Sequence, residues 1–180
     1  MATFGKTTNG TSTSLASADR KLVSQATPSS DGTVDSLSAR LNTNNAAGST
    51  VFKGVIFSDN GGEPDALLAV TDEGTITGNS ETEYTVDFTG VNQISIVNGT
   101  PYWIGVHIQD PGTISWVISR ADDVTSTKVN VDTYSDGTAN PFGTPADQNG
   151  PIDVFVTYTE DAGGTVIKDM IGGGVIPFAR

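Results

Sequence analysis

The chain has 180 residues, no cysteine and a formal charge of −12, from 9 Lys+Arg against 21 Asp+Glu. The length suits one domain that buries its own core, and the lack of cysteine excludes disulfide staples, thiolate metal sites and cysteine nucleophiles. Such acidity repels phosphate backbones, so nucleic acid is not an expected partner, and it keeps a protein soluble at high local concentration.

Residues 1–19, rich in Thr, Ser, Gly and Ala, offer few large apolar groups and read as an extended N-terminal arm. The opening MATFGKTTNGTSTS has no apolar segment behind a basic stretch, so no secretory signal is expected. No run of about eighteen apolar residues marks a membrane span. The chain is expected to be made in a host cytoplasm and to leave as part of a particle.

Patterning begins at Lys21–Ala26 and continues in a ragged strand around Val34–Leu41, expected at an edge or bulged. Val51–Phe57 is stronger, because Phe52 and Ile56 alternate with Val51, Val55 and Phe57, which makes it apolar on both faces near its end. SDNGGEPD at Ser58–Asp65 is a dense turn signal.

Leu67–Thr71, Tyr84–Phe88 and Gln93–Val97 are further short strands at sandwich spacing. In the next strand Tyr102, Ile104, Val106 and Ile108 share one face and Trp103, Gly105 and His107 the other. Asp110–Gly112 turns the chain into Ile114, Trp116 and Ile118.

Val129–Tyr134 is a weaker strand, Ser135–Gly150 a long Gly, Pro and Asn loop of the kind that carries function, and Pro151–Thr159 closes the domain. No window has helical periodicity. The expected class is all-β, with about nine or ten strands in two antiparallel sheets.

Glu160–Arg180 departs from this pattern. Val166, Ile167, Met170, Ile171, Val175, Ile176 and Phe178 are strung between Gly163-Gly164 and Gly172-Gly173-Gly174. Each such side chain gains about 1.5–3 kcal/mol on burial, so the segment either folds over its own sandwich or docks on a neighbour as an assembly arm. The expected organisation is an N-terminal arm (1–19), a β-sandwich (20–160) and a C-terminal arm (161–180).

Reacting groups are sparse. The one histidine, His107, lies mid-strand with no exposed serine turn to complete a triad and reads as structural. Paired carboxylates meet in space rather than along the chain, but short sandwich loops leave little room for a deep cleft, and no catalytic residue is assigned. Asp59, Asn60, Glu63 and Asp65, or Asp122 and Asp123, offer hard oxygens for calcium without matching the EF-hand spacing, and turn chemistry explains the same residues. Among the aromatics, Tyr102 and Trp103 alternate, so at least one of them points into the core, and Trp116 follows an apolar face. Tyr134 and Phe142 are left as candidates for stacking on a surface glycan.

With the strands placed, GVIFSDNGGEPDALLAVTDE followed by NGTPYWIGVHI resembles the jelly-roll domains of phage virion proteins and of bacterial surface proteins of the choice-of-anchor type. The similarity covers Val34 to Arg120: a strand ending in Y/F-S-D, a Gly-Pro turn, a Leu-Leu-Ala strand and a later G-T-x-Y-W-I strand. It implies a jelly-roll-like sandwich with a structural or adhesive role and no catalytic residues to carry over. Partners would be copies of the chain and other virion structural proteins. An adhesive, carbohydrate-binding module is the alternative.

Overall fold

The computed structural model describes residues 1–16, 19–43, 48–110, 112, 116–120, 127–148 and 150–162. Among them are thirteen strands: β1 (Ala2–Gly5), β2 (Ser12–Ala16), β3 (Arg20–Ala26), β4 (Gly32–Asn42), β5 (Ser49–Asp59), β6 (Pro64–Thr77), β7 (Thr82–Asp87), β8 (Ser95–Ile96), β9 (Tyr102–Ile108), β10 (Trp116–Arg120), β11 (Thr127–Val131), β12 (Ala146–Gln148) and β13 (Val154–Glu160). No helix among the described residues is long and apolar enough to cross a membrane.

The strands form two antiparallel sheets. In the first, β1 pairs with β13, β13 with β4, and β4 with β7. In the second, β3 pairs with β9, β9 with β5, and β5 with β6. The chain passes repeatedly from one sheet to the other, and these two orders of four are those of a jelly roll. Strands β11 and β12 widen the second sheet beyond β3.

Period-two alternation sets the layers. In β13, Val154, Val156 and Tyr158 are buried while Phe155 and Thr157 are half-buried. They meet Leu37 and Leu41 of β4 and, across the sandwich, Leu22, Phe52, Ile56, Ile104 and Val106 of the second sheet. Strand β9 is buried at all seven positions. One of its faces lies in the main core, and the other is roofed by the segment after β11, which is what positions the site described below.

The N-terminal residues are sheet rather than arm. Ala2–Gly5 pair with Phe155–Tyr158, and Ser12–Ala16 pair with Trp116–Arg120. Because β10 and β13 both lie against β4 and bridge at Arg120–Ile152, β1 and β2 follow one another along the rim of the first sheet. The break between them is held by Asp153, which accepts hydrogen bonds from Lys6 Nζ and from the Gly10 amide. Backbone pairing, for which Thr and Ser suffice, replaces the apolar side chains that this segment lacks; among its described side chains Phe4 enters the core, with Ala2 packed against it.

Other boundaries shift. The strand expected at Leu67–Thr71 runs from Pro64 to Thr77, whereas Gln93–Val97 reduces to Ser95–Ile96 after a 3-10 turn at Gly90–Asn92. Tyr134 belongs to a second 3-10 turn, not to β11. Ile114, the Asp122 and Asp123 pair and the proposed assembly-arm residues Val166, Ile167, Met170, Ile171, Val175, Ile176 and Phe178 lie outside the described residues.

Candidate functional site

Strand register places a polar row on the outer face of the second sheet. Asn130 of β11 stands opposite Lys21 of β3, Lys21 opposite His107 of β9, His107 opposite Lys53 of β5, and Lys53 opposite Glu73 of β6. Antiparallel partners share a face, so these five side chains form one line across five strands. Residues 132–142 lie over it as a strap.

Lys21 is wholly buried. Its ammonium donates to the Phe142 carbonyl at 2.8 Å, pairs with Asp132 Oδ2 at 3.2 Å, and lies 4.8 Å and 5.6 Å from the ring centroids of Phe142 and Phe57. Burial pushes its pKa below the ordinary lysine value, against the opposing pull of Asp132. His107, 1% exposed, has Nε2 3.0 Å from the Asp132 carbonyl and Nδ1 3.0 Å from Thr138 Oγ1. A carbonyl only accepts, so Nε2 carries the proton and Nδ1 accepts from the Thr138 hydroxyl. Burial lowers the His107 pKa below the usual value, with Asp132 opposing the shift and Lys21 adding to it.

The strap is tied at further points. Asp132 Oδ2 accepts from the Ala139 amide, and the Phe142 amide donates to the Asp65 carbonyl. The Tyr134 hydroxyl donates to Glu73 at 3.0 Å, its ring lies over Lys53, and burial followed by Glu73 raises its pKa. Next to the polar row, Val23, Val55, Phe57, Trp103 and Phe142 form a second apolar cluster, with Phe57 and Phe142 edge-to-face at 5.0 Å.

This arrangement corrects the glycan-stacking expectation. Tyr134 and Phe142 are buried beneath the strap, and Tyr102, Trp103 and Trp116 are buried as well. A Gly- and Pro-rich loop composition gives no hint that its one aromatic, Phe142, turns inward, nor does the weak strand pattern ending at Tyr134; the apolar outer face of β5 at Val55 and Phe57 is the signal that something must cover it.

The calcium candidates Asp59, Asn60, Glu63 and Asp65 share a turn, and the first three have protein partners there. Gln25, Trp103 and the Gly62 amide donate to Asp59, and the Asn60 amide closes the turn on the Glu63 carbonyl. Burial works against the Asp59 charge, yet the donors Trp103, Gly62 and Gln25 hold its pKa below the usual carboxylate value. Glu63 and Asp147 instead take the ammonium of Lys128, at 2.7 Å and 2.6 Å. Among the described residues no group of three His, Cys, Asp or Glu side chains is placed to hold a metal. Gly61 and Gly62, at φ 67° and 90°, supply the left-handed conformations that the reversal needs.

Two of the four sheet rims contrast. Strand β6, the far rim of the second sheet, has the amides of Leu67, Val70 and Thr77 hydrogen-bonded by Asn140 Oδ1, Asn92 Oδ1 and the Tyr84 hydroxyl. Strands β1 and β2 are each paired on one side, and among the described residues no strand flanks their other side. No protein-family model matches this sequence, and comparison with curated proteins gives no match.

Proposed function

We propose that this jelly roll is a non-enzymatic building block of a phage-like virion, such as a capsid decoration, tail or fibre component, that joins copies of itself and other particle proteins through a sheet rim and its C-terminal segment. The observation that carries this reading is the asymmetry of the rims. Side-chain plugs on β6 discourage pairing there, as natural sheets do at edges that must stay single. The rim built from β1 and β2 presents backbone groups to a neighbour, the geometry used in strand addition. The jelly-roll strand order and the surplus of acidic groups accord with a soluble subunit that associates in one register.

The apolar residues Val166–Phe178 supply the gripping segment in this scheme. Removal of residues 163–180 is expected to leave a folded monomer whose melting temperature stays close to that of the full chain, while the full chain forms oligomers in light scattering. A full chain that is monomeric at every concentration overturns the reading. So does a truncated monomer that melts at a markedly lower temperature, because the segment would then be part of its own core.

A further inference from the structure

We propose that the strap over the outer face of the second sheet, residues 132–142, is an acid-released cover: a proton on His107 unfastens it and bares the apolar cluster beneath. The inference is independent of the virion reading and rests on how His107 is surrounded.

The imidazole stands in the row between two lysines, opposite Lys21 on β3 and opposite Lys53 on β5. Directly opposed side chains of an antiparallel pair have Cβ atoms about 4.5–5.5 Å apart, and like charges there repel. A charged His107 would be the middle of three cations in a line, one of them wholly buried.

The carboxylates facing this line are already committed. Asp132 pairs with Lys21 and accepts from the Ala139 amide, with Oδ2 3.8 Å from His107 Nε2. Asp19, before β3, accepts from the amides of Tyr134 and Asp110. Glu73 of β6 accepts from Tyr134, whose ring centroid is 4.9 Å from that of His107. A second proton also turns Nδ1 from acceptor to donor, so the Thr138 hydroxyl must rotate to keep its contact.

Both lysine and histidine hold the same strap, at Asp132, Thr138 and Phe142, so weakening one contact loosens a shared element. Opening turns Phe142 away from Phe57 and uncovers Val23, Val55 and Trp103. Burial, which lowers the His107 pKa, means that the neutral form is the resident one near neutral pH, and that the proton arrives only as the solution becomes acidic.

Since His107 is the one histidine of the chain, its imidazole carbon signals can be followed without ambiguity in a labelled full-length sample. The expected result is a fall of at least about tenfold in hydrogen-exchange protection at the Ala139 and Phe142 amides between pH 7.5 and the imidazole midpoint, while β4 amides keep theirs. The two midpoints should coincide. His107→Gln, whose amide can donate to Asp132 and accept from Thr138 without titrating, should abolish that fall. If the variant does not fold, coincidence of the two midpoints in the unaltered chain decides. An imidazole that stays neutral down to the carboxylate range, a strap that keeps its protection after His107 has titrated, or a Gln variant that opens over the same pH interval overturns the proposal.

Discussion

Asp153 grips Lys6 across 147 positions of sequence and also accepts the Gly10 amide at 2.5 Å, so one buried carboxylate fastens the N-terminal rim at the break between β1 and β2. It sits where β10 hands over to β13: its amide donates to the Ser119 carbonyl, and its own carbonyl accepts from Arg40.

Asp153→Ala should therefore act on the whole rim. Loss of a buried charged acceptor, with the Gly10 amide left unpaired, is expected to cost roughly 2–4 kcal/mol. Urea unfolding measures the total, and hydrogen exchange should show the largest loss of protection at Phe4 and Lys6. Asp153→Asn, which keeps one accepting oxygen, should lose less.

Lys21 contributes through its stem as well as its charge. Lys21→Ala removes both from between Phe57 and Phe142 and leaves Asp132 without its cation, at an expected cost of about 3–5 kcal/mol. Lys21→Met keeps most of the stem volume and should cost about half as much. Equal losses in denaturant unfolding would show that the ring contacts do not matter.

Two glycines separate crowding from backbone conformation. A Cβ on Gly105 would lie 1.8 Å from the Leu22 carbonyl oxygen and 2.7 Å from Val23 Cα. Gly105→Ala must displace β3 and is expected to cost more than about 3 kcal/mol or to prevent soluble expression. Gly61 meets nothing within 4 Å but has φ 67°, so Gly61→Ala should cost only about 1 kcal/mol. Thermal melts of the two variants test the order.

The β6 plugs make a solubility prediction. Asn92→Ala together with Asn140→Ala frees the amides of Val70 and Leu67, and an uncovered rim strand invites pairing with another chain. Light scattering at raised protein concentration should show faster self-association than in the parent. Unchanged scattering would mean that the plugs do not guard the rim.

The regular strands could be read along the chain because their burial follows side-chain alternation: Val51–Phe57 and Tyr102–Ile108 fall inside β5 and β9. The N-terminal rim could not, since β1 and β2 are held by backbone hydrogen bonds and by a carboxylate far along the chain, neither of which leaves a local pattern. The polar row was hidden for a related reason. Lys21, Lys53, Glu73, His107 and Asp132 are scattered in sequence, and only the register of adjacent strands aligns them. The inward turn of Phe142 leaves no mark because loop composition reports backbone freedom, not which face a side chain seeks, and that of Tyr134 because the strand pattern that ends there gives way to a 3-10 turn.

The pairing of Ala2 with Tyr158 ties the first described strand to the last. During translation β1 emerges early and has no partner until nearly the whole domain has left the ribosome, so its rim can close only after β13 appears. Contacts this distant along the chain slow folding. A polypeptide halted before Val154 would carry an unpaired opening strand, and chaperones would meet it in that form.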